Sequence, residues 1–272
     1  NMSQSGASYA LARLRDLLGD PLFLPYPKGV HPTARALAMA GTVAQILTLA
    51  RDTLGSEARF DPRRAQRSFS VGATDYVSFV VLPPLIARLR REAPGIDLRV
   101  RTIDRDSLIA GLDAGELDLA LGLAADVPDR IEVTPLFQER LVCVARRGHP
   151  LFDGVLTPQA FAATPQLLVS PRGDPVGPAD AALQALGFDR RLVVTTPHFL
   201  AAPFIVGASD LVALLAERVA LRLAAPAVIE IRPLPIPVPS WTLSLLKRRE
   251  RVGEAAFDWM TSLLVDVCLS LG

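Results

Sequence analysis

Histidine and cysteine are scarce in this chain: 272 residues hold three histidines and two cysteines. A Ser-His-Asp or Cys-His relay needs a base brought to a nucleophile and an orienting acid. His31, His149 and His198 stand in three unrelated contexts, a wing-like turn, a Gly-His-Pro turn and a strand end. That scatter argues against a triad. No Cys/His cluster has metal-ligand spacing, so no metal is expected. Cys143 and Cys268 lie in the apolar runs Leu141-Val142-Cys143-Val144 and Asp266-Val267-Cys268-Leu269 and read as buried free thiols in a reducing compartment. No stretch approaches the roughly 18–20 uninterrupted apolar residues of a membrane span. The start lacks the basic-then-apolar pattern of a secretory leader. A cytoplasmic protein with no membrane partner is therefore expected. Gly111, Gly115 and Gly122 miss the G-x-G-x-x-G spacing and no G-K-[ST] loop occurs, so no nucleotide cofactor is expected. Net charge is only +1, and bulk electrostatics alone indicate no nucleic-acid partner.

What is present is the composition of a globular chain, 50% hydrophobic and 21% charged, long enough for one large domain or two ordinary ones. Residues 1–35 carry Arg13, Arg15, Lys28 and Arg35 against Asp16 and Asp20, a tilt of +2 that decides nothing. Ala7, Leu11, Leu14 and Leu18 share one helical face and predict a helix over 3–18, with Ser3 or Ser5 able to cap it and Gly19-Asp20-Pro21 ending it. Pro25, Pro27 and Gly29 make Phe23–Val30 a strand, turn and strand. Thr33 then caps a long helix to about Leu54. Its apolar positions Leu37, Val43, Ile46, Leu47, Leu49 and Leu54 form a wide stripe that needs a partner helix. Residues 59–67, basic and interrupted by Pro62, read as a linker.

From Ser68 strands and helices alternate, the rhythm of mostly parallel sheets covered by helices on both faces. A single helix is expected over Tyr76–Glu92, another over Phe199–Val206, and strands over Ser68–Gly72, Asp97–Thr102, Leu117–Leu121, Leu141–Ala145, Gln166–Ser170, Arg191–Thr195, Leu211–Leu215, Ile229–Leu234 and Trp241–Lys247. Residues 68–272 are too many for one five-stranded unit, and two similar lobes are expected.

Several strands end in polar residues. The first runs into Ala73-Thr74-Asp75-Tyr76 directly before a helix, where backbone N–H groups and hydroxyls make a small anion site. Asp75 would oppose an anion there, and simple capping by Thr74 and Asp75 is an equal alternative. Other strands end at Thr102, at Ser170 and at Thr196-Pro197-His198-Phe199. Four such ends from two facing lobes would line a small-molecule cleft. Asp118 reads as a strand-end polar group rather than an acid catalyst. In the opening helix Ser3, Gln4, Ser5, Ser8 and Tyr9 occupy the first turns; short hydroxyls and Gln suit base edges and phosphates, and Arg13 can reach phosphate or guanine. On composition alone, a solvated amphipathic helix explains these residues as well.

The pattern S-Q-S-x-x-S-x-x-L-x-R-L-R-x-L-L-G-D-P-L-F over 3–23, followed by G-x-x-P-T-x-x-A over 29–36, resembles the recognition helix, wing and linker helix of LysR-type transcriptional regulators. So do Thr74-Asp75-Tyr76, Leu82-Pro83, Ala93-Pro94, Gly115-Glu116-Leu117-Asp118-Leu119-Ala120-Leu121-Gly122, Arg147-Gly148-His149-Pro150-Leu151 and Thr196-Pro197-His198-Phe199-Leu200-Ala201-Ala202-Pro203. The last of these, with Ser209-Asp210-Leu211, looks most like the branch of nodulation and salicylate/nitroaromatic regulators.

The resemblance implies an α/β protein: a partial winged helix-turn-helix over 1–33, a dimerising linker helix over 34–58 and a hinge over 59–67. A two-lobed, periplasmic-binding-protein-like (type 2) effector domain with doubly wound sheets would fill 68–272, with lobe I about 68–141 and 247–272 and lobe II about 142–246. It implies a regulator without catalysis. Double-stranded promoter DNA would be held by Ser3, Gln4, Ser5, Ser8, Tyr9, Arg13 and the wing residue Lys28. A small effector, aromatic or carboxylate-bearing, would be held by Thr74, Asp75, Thr102, Ser170, His198 and Phe199. Assembly into homodimers or homotetramers is implied too. The chain opens without the two helices expected beneath a recognition helix, so it reads as N-terminally truncated. Pro25-Tyr26-Pro27 replaces the usual basic wing residue, Gly6 and Ala7 replace larger helix residues, Ala216 stands where proline is common, and Gln166 replaces a frequent histidine. A solute-binding protein of the same two-lobed fold is the alternative, and the helix from Thr33 to Leu54 counts against it.

Overall fold

The computed structural model describes residues 4–26, 29–54, 60–171 and 173–271. The chain divides into two compact units, Asn1–Arg59 and Phe60–Gly272.

The first unit opens with helix α1, Gln4–Leu18. Gly19 ends it in the left-handed region, at φ 60°. The Asp20 carboxylate then ties the helix end to the hairpin, accepting from the Leu22 N–H at 2.7 Å and from the Thr33 hydroxyl at 2.8 Å. These two donors hold its carboxyl below the usual range. Strands β1, Phe23–Tyr26, and β2, Gly29–Pro32, pair antiparallel from Phe23↔Pro32 to Tyr26↔Gly29. Helix α2, Ala34–Leu54, starts where the Thr33 hydroxyl accepts from the Ala36 N–H at 3.1 Å. Leu22 is the single buried residue among the described residues of this unit.

The second unit holds two five-stranded mixed sheets flanked by helices. In lobe I, β3 (Arg67–Ala73), β4 (Ile96–Thr102) and β5 (Leu119–Leu123) run parallel, and the order is β4-β3-β5-β12-β6 with β6 at Ile131–Glu139 and β12 at Trp241–Arg248. Strand β12 runs antiparallel to both its neighbours. Helices α3 (Asp75–Val80), α4 (Leu82–Glu92), α5 (Arg105–Asp113) and α10 (Ala255–Leu269) cover this sheet. The main core packs Phe69 and Val71 of β3 against Leu85, Leu89, Phe257 and Leu264. In lobe II the order is β11-β7-β10-β8-β9, with β7 at Leu141–Arg146, β8 at Gln166–Val169, β9 at Leu192–Thr196, β10 at Val212–Ala216 and β11 at Ile229–Arg232. Its helices are α6 (Pro158–Ala163), α7 (Asp180–Ala185), α8 (Ala202–Gly207) and α9 (Glu217–Leu223).

Several features differ from expectation. The helix expected over Tyr76–Glu92 is two, α3 and α4, meeting at Val81. Pro83 and Pro84 have no N–H and fit only the first turn of a helix, where no donor is needed. Strand β6 is an addition to the expected set. Strand β12 belongs wholly to lobe I, so the chain returns there between Arg232 and Trp241 rather than near residue 247. Arg67, the last residue of the expected hinge, already pairs with Ile96 in β3, and its guanidinium lies over the rings of Phe69 and Phe257 at 4.9 and 4.7 Å.

Candidate effector site

Parallel β3 and β4 finish side by side, Ala73 paired with Thr102, so Thr74 and the exposed Thr102 are neighbours at one sheet edge. Thr74 caps α3, its hydroxyl accepting from the Val77 N–H at 3.3 Å. In lobe II parallel β8 and β9 finish side by side in the same way. The Ser170 N–H donates to the Thr196 carbonyl at 2.8 Å, and Ser170 is buried. Beyond β9 the His198 N–H donates to the Thr196 hydroxyl at 3.3 Å, and the residue is exposed. The expected strand-end residues thus form two pairs, one per lobe.

Asp75 reaches from lobe I to the segment that follows β9. One carboxylate oxygen accepts from the Tyr76 N–H at 2.8 Å and the other from the Leu200 N–H at 3.3 Å. Phe199 approaches Tyr76 with ring centroids 6.2 Å apart. Residues 199–201 form a turn, and α8 begins only at Ala202. A helix starting at Phe199, as the sequence predicts, would change the path of the segment that offers the Leu200 N–H to lobe I.

Behind this edge lies a buried polar cluster that sequence reasoning misses. The Tyr76 hydroxyl donates to Glu139 at 2.5 Å. Glu139, fully buried at the end of β6, also accepts from the Arg140 N–H at 3.0 Å and pairs with Arg218 of α9 at 3.3 Å. Burial first, then the hydrogen bond to the Glu139 carboxylate and its negative charge, push the Tyr76 phenol well above its ordinary range. No local spacing signals this cluster, whose members come from three distant segments.

Gln166 has a structural partner set. Its side-chain amide donates to the Phe161 carbonyl at 2.8 Å and accepts from Arg190 at 3.4 Å. Arg190 in turn grips both oxygens of Asp180, at 2.6 and 2.7 Å. Asp118 bridges β3 and β5 through Ser70, accepting from its N–H at 2.8 Å. The His149 ring accepts from the Leu151 N–H at 3.0 Å and lies 3.2 Å from the Asp210 carbonyl, which fixes a turn. Both cysteines are buried and free, and burial pushes the Cys143 thiol up to about 12. Two surface depressions, of about 520 and 200 Å³, are lined by residues around Arg130 and Arg249 and around Arg140 and Arg232, apart from the strand-end residues.

In the first unit Ser8, Tyr9 and Arg13 are exposed on α1, with Tyr9 68% accessible. Tyr9 and Arg13 are four apart and share a face. Ser3 and Lys28 lie outside the described residues, as do the side chains of Gln4 and Ser5.

The profile of the LysR substrate binding domain matches residues 62–269. The HTH-type transcriptional regulator LinR of Sphingobium indicum is 34% identical over 228 residues, 82% of this chain and 74% of its own length. The HTH-type transcriptional activator NagR of a Ralstonia species is 29% identical over 266 residues, 98% of this chain and 88% of its own. Among solved structures, the probable transcriptional regulator PA0477 from Pseudomonas aeruginosa superposes with a TM-score of 0.78 at 35% identity, covering 96% of this chain and 87% of that chain. Two mixed sheets flanked by helices and these likenesses agree: the chain belongs to the LysR family of transcriptional regulators, in its nodulation and aromatic-responsive branch.

Proposed function

We propose that this regulator reads promoter DNA through α1 and answers to a small molecule held between its lobes by Thr74, Asp75, Thr102, Ser170, His198 and Phe199. The observation that carries the effector half is the hydrogen bond from Leu200 to Asp75, which draws the strand ends of the two lobes to one place. His198 there offers an imidazole to a carboxylate or phenolate, and Phe199 a ring for stacking. On the DNA side, α1 presents Ser8, Tyr9 and Arg13 to solvent, in a helix followed by a two-stranded hairpin. With Ser3, Gln4, Ser5 and Lys28 these residues would supply base-edge and phosphate contacts. A homodimer, paired further into a tetramer, would cover the stripe of α2, where Leu37, Val43 and Ile46 are exposed. The domain limits would follow the same scheme: DNA-reading elements to about residue 33, a dimerising helix over Ala34–Leu54 and the effector domain from Phe60 onward. In this reading the protein carries no catalysis and needs no cofactor.

A ligand moves the equilibrium between lobe arrangements only by its difference in affinity for them. The test is an operator footprint of the full-length protein with and without a panel of aromatic acids. One acid should alter the footprint, and His198→Ala should raise the concentration needed by at least about tenfold, the loss of one charge-assisted hydrogen bond. A footprint indifferent to every acid would defeat the effector assignment; no sequence-specific footprint would defeat the DNA assignment.

A further inference from the structure

Helix α3 belongs to lobe I, yet lobe II holds it at both ends. At its N-terminus Asp75 accepts from the Leu200 N–H at 3.3 Å. At its C-terminus Arg222 of α9 donates to the carbonyls of Phe79 and Val80, both at 3.2 Å, and lies 5.8 Å over the Phe79 ring. These carbonyls belong to the last turn of a helix, which has no intrahelical donors for them and carries partial negative charge. A guanidinium suits that place.

The two attachments differ in the number of charged contacts that hold them. The C-terminal one continues into Arg218, one turn earlier on α9. Arg218 donates to the Gln138 carbonyl at 2.9 Å and the Leu271 carbonyl at 3.3 Å, pairs with Glu139 at 3.3 Å and covers the Phe137 ring at 4.4 Å. All four partners are in lobe I. Ala216 and Val219 are buried in the lobe I core, with Leu223 packed against it, so the two lobes share apolar packing at this end. The N-terminal attachment has one hydrogen bond to a charged group, one tilted ring contact and the half-buried Phe199 and Leu200 packed against the same core. Helix α3 has six residues and spans about 9 Å.

We infer that α3 is a lever between the lobes: Arg218 and Arg222 form a permanent hinge at its C-terminus, and the Asp75–Leu200 bond is a gate at its N-terminus that opens while the hinge stays closed. The identity of the gate's trigger rests on the effector reading above, because Asp75 and Phe199 belong to that site. A molecule with a hydrogen-bond donor for Asp75 or an acceptor for the Leu200 N–H would replace one half of the bond and part the lobes there. The hinge, held by charged donors and buried apolar contact, would turn without breaking.

Hydrogen exchange of the full chain tests the lever with no ligand present, because the Leu200 amide is itself the gate's donor. Asp75→Ala should speed Leu200 exchange about tenfold, the loss of a bond to a charged acceptor. Asp75→Asn, which keeps an accepting oxygen, should speed it less. In both variants the amides of α9 and of Ser170 should exchange as in the parent protein. Arg222→Met should speed both the Leu200 and the α9 amides, because the gate depends on the hinge. An unchanged Leu200 amide in folded Asp75→Ala would overturn the gate. Faster α9 exchange in Asp75→Ala, or unchanged α9 exchange in Arg222→Met, would overturn the asymmetry. The footprint experiment is a separate arm: if no acid alters the footprint while the exchange pattern holds, the effector assignment fails and the lever stands.

Discussion

Lobe I and lobe II share one strand pattern but take its fourth strand from opposite directions along the chain. Each has a central strand flanked by two parallel neighbours, β3 between β4 and β5, and β8 between β9 and β10. Each then adds one strand antiparallel to these, β12 or β7, and an outer strand, β6 or β11, antiparallel to that one. Lobe II takes its fourth strand, β7, from the segment that has just left lobe I; lobe I takes β12 from the segment that returns. The chain therefore crosses between the lobes twice, after Glu139 and before Trp241, and the buried carboxylate of Glu139 stands at the first crossing. The lobes also place their buried charge differently. Lobe I keeps the buried Lys247 with Asp258 among its own elements, but also carries Glu139 at its border, shared with Arg218 of the other lobe. Lobe II carries its closest buried pair, Arg190 with Asp180, among its own elements. Charge at the border couples the lobes, whereas charge inside a lobe fixes that lobe alone.

The strongest test of this difference is Asp180→Ala. Arg190 has a side chain only 2% exposed, and the substitution strips it of both carboxylate contacts. Removing one partner of a buried pair costs about 3–5 kcal/mol. A denaturant series should show the midpoint falling by that equivalent, and exchange should quicken across β8, α7 and β9 first. Equal loss of protection in the lobe I core would mean that the lobes unfold as one and that the distinction has no energetic content.

Tyr76→Phe addresses the border. It removes the 2.5 Å bond to Glu139 and leaves that buried carboxylate to Arg218 and the Arg140 N–H. The expected cost is smaller, about 1–3 kcal/mol. It should be felt by both lobes, seen as faster exchange in α3 and α9 together. A cost confined to α3 would place Glu139 inside lobe I and weaken the case for a shared border.

Much of this architecture is legible in the residues. The polar strand ends stand out because an apolar run followed by Thr, Ser or Asp before a helix marks the carboxyl edge of a parallel strand. Thr33 and Thr74 behave as the caps their positions suggest. Strand β6 is hidden by Pro135, which argues against a strand interior, and by its mixed burial. Pro135 is accommodated because β6 pairs only with β12 and because a register shift falls between Leu243 and Ser244, facing Phe137 and Pro135. Gln166, in place of a frequent histidine, suggests a change in effector preference, whereas its side chain bonds to Phe161 and Arg190. The Asp75–Leu200 bond joins residues 125 apart, and the Glu139 cluster joins three segments. Such contacts carry no periodicity, and only the closed fold brings them together.

The smallest expected effect is a pH dependence, and it again separates the lobes. Burial raises the carboxyl of Asp180, but the two bonds from Arg190 and the Gly177 N–H outweigh it and hold the group below its ordinary 3.8. A carboxyl depressed on folding stabilises the folded state fully above its unfolded value. That contribution fades as the pH falls through about 3.8 toward the folded value. Thermal melts between pH 3 and 7 should therefore show an acid-side loss of stability that is shallower in Asp180→Asn, with the curves converging as the pH falls. The variant lacks a group that binds more protons when unfolded than when folded, so it has less to lose. Exchange monitored over the same range should place that acid-side loss in β8, α7 and β9. If the slopes of parent and variant are identical, the Arg190 pair does not set the acid limit of lobe II. The depressed carboxylates at the lobe surfaces, Asp113 beside Arg130 in lobe I and Glu217 beside Arg140 at the border, would then be the groups to vary next.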